Sequence, residues 1–456
     1  MIPAARVIAE AVQALRHSDL PPQATQAARL HFLDAVGVGL AASRVPQNVG
    51  WAESVVSVGG SGTATVLGQS TGAAPAMAAL LNGARIHALE YDDTHIASVV
   101  HGSAVAAPAA LAAAEAAGAD GVTLLKGYVL AWEVMIRLGL AAPGAMQARG
   151  FQVTAVAGAI GAAAAAALIG GLDTDRTMAA LGIAGSQASG LMEFLAEGAS
   201  VKALHPGWAA HTGVLAVALA QGGMTGPASI LEGRFGVMAG FAGQTDAAAG
   251  LAAQMATLGS VWHLSDAAFK AYPCCHYIHP FLEALETLIA GGLSADDLAS
   301  ATAFVPPPEA PLICEPWARR QAPASGYDAK WALGYCLAAR LVKGPLGVAD
   351  FTRDPDPAAI ALARRIDWQP MADHGFPARF AARLQVVTRD GGILLAEVAN
   401  VRGAPDRPIT AAEVQAKFRA NAAQALSAPS VADAETAILT LDSAGSLTAL
   451  RRALAG

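Results

Sequence analysis

The chain has 456 residues, long enough for two or three domains, and carries a net charge of −7 from 29 basic and 36 acidic side chains. That acidic balance, with no Lys/Arg run, argues against nucleic acid as a partner, so an anionic ligand would need a local cluster of positive groups. Its residues are 54% hydrophobic but only 5% aromatic and 14% charged, which predicts a large, mainly helical core rich in small Ala side chains that let helices approach closely.

The first predicted helix is amphipathic and covers 4–16. Pro21-Pro22 then interrupts the chain, and Pro22 suits the first turn of a helix running through Ala27–Leu40. Gly37-Val38-Gly39 partly matches a dinucleotide loop. It ends a helical pattern instead of opening one, which excludes that reading. Gly59–Gly62 reads as a turn and Thr63–Leu67 as a short strand. Helix then follows helix from about Ala73 to Gln221, with Ala104–Ala117, Thr123–Leu138, Val153–Ile169, Asp175–Ser186 and Ala209–Ala220 apolar on most faces. Phe151–Leu172 is uncharged and long enough for a bilayer, but it is mostly Ala and Gly and its flanks carry no aromatic belt or basic bias, so a buried helix is expected. Gly190–Lys202 reads as a loop or a short helix with a turn.

The texture changes after about Trp262. Lys270–His279 is a Cys/His/Tyr-rich turn before a helix at Pro280–Ala290. Ala299–Val305 reads as a strand, Tyr327–Val342 as a helix, and Asp356 as the N-cap of a helix reaching Arg365. Phe380–Thr388 and Ile393–Val398 flank Asp390-Gly391-Gly392 as a hairpin. The last segment returns to helix. These elements predict a mainly α fold with two domains. A large helical domain is expected from 1–264 and 405–456, and a smaller α+β domain from 265–404. Cys274, Cys275, Cys314 and Cys336 form no CxxC or zinc pattern and read as reduced thiols of a cytoplasmic protein. The N-terminus shows no signal peptide.

Four polar clusters interrupt the apolar background. His87, Glu90, Asp92, Asp93 and His95 fall within nine residues, with Thr94 among them and His101 following six positions later. Carboxylates and imidazoles near apolar surface acquire shifted pKa values, the usual condition of an acid/base site, although a His-rich helix end would look the same. Gln152 and Thr154 stand at the start of the uncharged helix, where free N–H groups could seat a carboxylate. Lys202 is the only Lys or Arg between Arg176 and Arg234, with His205 just after it. It would serve an anion, act as a base, or lie on a surface loop. The fourth cluster, Lys270 to His279, holds Tyr272, His276 and His279; its histidines alone make no zinc site. Walker, GxSxG, HExxH and EF-hand motifs are all missing from the sequence.

Taken in order, these blocks resemble the MmgE/PrpD superfamily, whose members include 2-methylcitrate dehydratase, cis-aconitate decarboxylase and iminodisuccinate epimerase. The resemblance rests on Asn82-Gly83-Ala84 with His87–Thr94, on His101-Gly102-Ser103, on Gly150-Phe151 with Thr154-Ala155, and on Lys202 with His205 and Gly207. It continues in Lys270 with Tyr272-Pro273-Cys274. It implies a large helical domain built from both chain ends, with an α+β lid inserted late. It also implies a homodimer, no metal or organic cofactor, no nucleic-acid or membrane partner, and a small anionic carboxylate as substrate. By the same resemblance Lys202, His101, Glu90, Asp93 and Thr94 are the catalytic candidates. Gln152, His205, Lys270, Tyr272, His276 and His279 are the substrate-binding ones.

Three departures from the family pattern bear on the reaction. Gln152 stands where decarboxylases carry a histidine after Gly-Phe, and an amide cannot shuttle a proton. Glu90 replaces the commoner Asp, and the loop before His101 is one residue longer. The activity expected is proton abstraction α to a carboxylate. Chain length and Gln152 favour an iminodisuccinate-type epimerase. A 2-methylcitrate-type dehydratase and then a cis-aconitate-type decarboxylase are the alternatives, and a polycarboxylate-binding protein is the rival outside enzymes.

Overall fold

A computed structural model describes residues 2–244 and 248–455. Its backbone divides into two compact units. One comprises Met1–Ala88, Asp92–Ala267 and Thr410–Gly456; the other comprises Leu89–Tyr91 and Ala268–Ile409.

The first unit is built from helices. Ala4–Arg16 buries Ala5, Ile8, Ala9, Val12 and Leu15, a single stripe at helical spacing. Pro22 opens Pro22–Ala42, as its fixed φ and missing N–H permit at a first turn. Helices Ala4–Arg16, Ser103–Ala117, Gly121–Ala141, Thr174–Ser186 and Leu204–Gln221 surround Val153–Ile169, in which every residue is buried. Small residues make that centre possible: a Cβ on Gly213 would lie 2.4 Å from the Ala162 methyl carbon. Among the described residues, no helix is long and apolar enough to cross a membrane. The C-terminal helix Ala411–Ala422 is opened by a Thr410/Glu413 capping box and packs on Pro22–Ala42, where Lys417 Nζ meets Asp34 Oδ1 at 2.9 Å.

The second unit carries a four-stranded sheet in the order Ile366–Pro370, Leu298–Val305, Ala382–Thr388, Ile393–Val398. The first pair is parallel, with Ala301 opposite Ile366, and the others are antiparallel. Ala382, Leu384 and Val386 are buried at alternate positions, and helix His279–Ala290 packs on this hairpin. Asp356 caps Pro357–Ala363 by accepting from the Ala358 and Ala359 N–H groups.

Three local expectations are corrected. Thr63–Leu67 is not a strand, because side chains take the backbone groups that a neighbouring strand would use. Glu115 accepts from Thr65 N, Asn82 bridges Leu67 N and Thr65 O, and Arg85 donates to Leu67 O. Tyr327–Val342 is two helices, Gly326–Ala329 and Leu333–Lys343, since the Lys330 carbonyl accepts from Cys275 N instead of continuing a ladder. The Ile366–Pro370 strand was not anticipated; it is short and only its first residue is buried, so its alternation is faint.

Candidate functional site

Two glycines set the geometry of the first unit's polar cluster. Helices Pro75–Ala88 and Leu204–Gln221 cross at Gly83 and Gly207. A Cβ on Gly83 would lie 2.6 Å from Gly207 Cα, and one on Gly207 would lie 2.2 Å from the Leu80 carbonyl oxygen. His87 lies one helical turn beyond Gly83 and His205 two residues before Gly207, so the close crossing fixes both rings. Gln152 is the N-cap of Val153–Ile169. Its side chain makes no capping hydrogen bond, and its N–H donates to the Gly190 carbonyl.

The freed amide joins a chain of hydrogen bonds. Asp92 Oδ2 lies 2.8 Å from His87 Nδ1, Gln152 Nε2 lies 3.3 Å from His87 Nε2, and Gln152 Oε1 lies 2.7 Å from His205 Nδ1. Donor and acceptor roles follow from chemistry. An ionised carboxylate only accepts, so His87 Nδ1 carries the proton and its Nε2 accepts from the Gln152 amino group. The Gln152 carbonyl oxygen then accepts from His205 Nδ1–H, which leaves the lone pair of His205 on Nε2. Burial, with the Lys202 charge adding to it, lowers the His205 pKa to about 4. His205 is therefore a neutral imidazole at physiological pH.

His101 is oriented in the same sense. Its Nδ1 lies 3.1 Å from the Asp93 carbonyl oxygen, which can only accept, and 3.0 Å from Thr94 Oγ1. Nδ1 is thus the protonated nitrogen and Nε2 the basic one. The His101 N–H donates to Thr154 Oγ1, and the His101 and His87 rings stand 5.0 Å apart. Gly102 is required beside it, because any Cβ there would strike the Trp132 indole at 2.3 Å.

Asp93 is fully buried and its carboxylate is occupied. His31 Nδ1 lies 2.7 Å from Oδ2, and the Ser103 N–H and hydroxyl both donate to it. Ser103 in turn contacts Tyr128 OH and Trp132 Nε1. Asp93 thus locks the segment that presents its own carbonyl to His101. Lys202 is buried in the 3₁₀ turn Ser200–Ala203, one residue before the helix that carries His205.

The remaining sequence candidates belong to the second unit. Glu90 has φ +53, a left-handed conformation uncommon for a residue with a side chain. Lys270, fully buried, holds it there: Nζ donates to the Glu90 carbonyl at 3.1 Å and lies 3.6 Å from Glu90 Oε2. Tyr91 OH donates to the Ala271 carbonyl. His276 and His279 are buried with ring centroids 4.7 Å apart, and Tyr272 packs edge-on against His279. Burial, with Glu286 next in weight, raises the Tyr272 pKa, so its phenol stays protonated. All four cysteines are free and buried. Burial, with Cys336 alongside, pushes Cys274 well above the usual thiol range, which fits inert thiols.

Of the sequence candidates, the structure brings His101, Thr94, Asp93, Gln152 and His205 into one connected group in the first unit. Glu90 and Lys270 form a pair in the second. His87 and Asp92, part of the polar cluster but not among the catalytic candidates, head the hydrogen-bond chain. His31 and Ser103 were missed; a histidine and Asp34 in an otherwise apolar helix were the only sign of the first. Ligand atoms of His87, Asp92 and His101 lie within 4.8 Å of one another. The protonated Nδ1 atoms of both histidines are engaged, so this group is better suited to moving protons than to holding a cation.

Comparison with known proteins agrees over nearly the whole chain. The family model for the MmgE/PrpD N-terminal domain matches residues 6–249, and that for the MmgE/PrpD C-terminal domain matches 272–443. The chain is 29% identical to the cis-aconitate decarboxylase-like protein oryM of Aspergillus oryzae, over 98% of this chain and 96% of that protein. It is 28% identical to a cis-aconitate decarboxylase of Aspergillus terreus, over 96% and 92% respectively. With the human cis-aconitate decarboxylase it shares 27% identity over 77% of this chain and 74% of that one.

Proposed function

The chain belongs to the MmgE/PrpD family, and from that premise we propose that it is a lyase acting on a small di- or tricarboxylate by proton transfer at the carbon next to a carboxylate. The observation that carries this reading is the matched orientation of two imidazoles. His101 and His205 each have Nδ1 committed to an acceptor, which leaves Nε2 as the reactive nitrogen. The names of its relatives supply the lyase class.

In a dehydration, one neutral imidazole takes the α-proton and a protonated partner gives a proton to the departing hydroxyl. In a decarboxylation, CO2 leaves, the electron pair passes to the α-carbon, and an imidazolium delivers the proton there. Lys202 would pair with a substrate carboxylate and stabilise the enolate-like charge. Gln152, unable to shuttle a proton, would fix His205 and not relay through it. Decarboxylation of cis-aconitate is therefore the first activity to assay, and dehydration of a hydroxylated tricarboxylate the second.

An iminodisuccinate-type epimerase stays as the second reading, favoured by the same pair of basic nitrogens, since epimerisation needs a base for each face of the carbon. Incubation with cis-aconitate, 2-methylcitrate and iminodisuccinate, followed by NMR of the products, tests the choice. Evolution of CO2 or an alkene product supports the lyase. Racemisation without loss of CO2 or water overturns it in favour of the epimerase.

A further inference from the structure

The opening His/Asp-rich stretch contains one histidine that the proton-transfer machinery does not use. His95 is buried, and it faces two side chains from a distant part of the same unit. We propose that His95, His263 and Asp266 form a binding site for a divalent transition-metal ion of the zinc class.

Local structure builds this site from two sides. His263–Asp266 is a 3₁₀ turn, and side chains three apart on such a turn eclipse one another. His263 Nδ1 and Asp266 Oδ2 accordingly lie 3.8 Å apart. The turn is anchored from below. Glu133 Oε1 accepts from Leu264 N at 2.9 Å, and Arg137, paired with Glu133, donates to the Thr257 and Val261 carbonyls. Glu133 and Arg137 are fully buried, so the loop before the turn is held by an ion pair shielded from water.

His95 is fixed from the other side by a tight turn. Its N–H donates to the Val100 carbonyl at 2.8 Å, and Val99 in that turn adopts φ +55. A β-branched residue holds that conformation only where its surroundings over-determine it. The Ser98 N–H donates to His95 Nδ1 at 3.3 Å, and Ser98 Oγ lies 2.8 Å from the same nitrogen.

One ligand atom from each of His95, His263 and Asp266 lies within 4.8 Å of the others, and the two rings stand 6.2 Å apart at 68°. Zinc bonds of roughly 2.0–2.2 Å need donors about 3.3 Å apart, so closing the site takes a shift of about 1 Å. His263 and Asp266 can make it, since their side chains are 22% and 52% exposed. Two imidazoles and one carboxylate suit zinc, cobalt or nickel over magnesium or calcium. Coordination through His95 Nε2 moves the ring proton to Nδ1, which gives up its bond from the Ser98 N–H and donates to the Ser98 hydroxyl, an outer-shell contact of the kind that orients metal-bound histidines. The exposed side of Asp266 leaves room for water to complete the coordination shell.

The test uses the full chain stripped with chelator, Co2+ titration followed by visible absorption, and Zn2+ titration by calorimetry. One equivalent should bind, with the Co2+ spectrum of a four- or five-coordinate site. His263→Ala and Asp266→Ala should each weaken binding by about 100-fold or more, and Ser98→Ala by about 10-fold. Both ligand positions are partly exposed, so circular dichroism should confirm that those variants fold. Lack of saturable binding overturns the proposal, and so does a His263→Ala/Asp266→Ala double variant that binds Co2+ as the wild type does.

Discussion

The Asp92 carboxylate accepts a hydrogen bond from His87 Nδ1 at 2.8 Å, and that contact decides which nitrogen is basic on His205, two hydrogen bonds further along. The intermediate is Gln152, whose amide has only one orientation that satisfies both imidazoles. Gln152→Ala should therefore leave the fold intact and cut kcat by about 10-fold or more, because His205 loses its tautomer. Gln152→Glu should also lose activity, since it places an acceptor opposite the His87 lone pair. Steady-state kinetics beside thermal denaturation checks both. Wild-type kcat in either variant would remove His205 from the account.

Removing a reacting group costs more than removing its support. His101→Ala and Lys202→Ala are each expected to lower kcat by about 10²–10⁴-fold, with circular dichroism unchanged. Thr94→Val, which deletes only the hydroxyl beside His101 Nδ1, should have a smaller effect than His101→Ala. Turnover assays of the three variants under one set of conditions give the ranking.

The folded protein holds His205 down to about pH 4, against a reference of 6.5. Between those values the unfolded chain binds the extra proton and the folded chain does not, so stability rises with pH. The contribution of His205 is complete above pH 6.5 and is lost as pH falls toward 4. Urea midpoints at pH 5.0 and 7.5 should differ less in His205→Asn, which cannot titrate, than in the wild type. Equal differences would contradict the burial assigned to this ring.

The Gly83–Gly207 crossing ties stability to the site. Gly207→Ala would force a methyl group against the Leu80 carbonyl, costing about 1–3 kcal/mol and displacing His205. Its melting temperature and kcat should therefore fall together, whereas Gly50→Ala, with open space around it, should leave kcat unchanged.

In the second unit, Lys270 and Glu90 are both buried, so breaking the pair takes a close opposite charge from a buried ion. Lys270→Met should destabilise by about 3–5 kcal/mol, and adding Glu90→Gln should recover part of that loss. A double-mutant cycle from denaturation curves measures the coupling.

Much of this was legible in the residues. Helices such as Ala4–Arg16 announce themselves by period, and Asp356 by its place before Pro357. The opening stretch stood out because charge is scarce elsewhere. What the sequence could not show is which neighbour each polar group meets. His87 and Asp92 were not among the catalytic candidates, because their tie to Gln152 and His205 depends on a helix crossing between residues more than a hundred positions apart. Asp93 looked catalytic because its type and position fit, yet His31 and Ser103 occupy its carboxylate. Thr63–Leu67 has the composition of a strand, but Glu115, Asn82 and Arg85 satisfy its backbone from distant helices.

The central claim is that imidazoles of this chain move a proton at the carbon next to a substrate carboxylate. Incubating the wild type and His101→Ala with cis-aconitate and related polycarboxylates in D2O, followed by NMR, tests it most directly. The account predicts either loss of CO2 with solvent deuterium delivered to that carbon, or loss of water with an alkene product, in the wild type, and neither in the variant. Saturable binding of these acids without turnover or deuterium incorporation, or equal incorporation by His101→Ala, would contradict it.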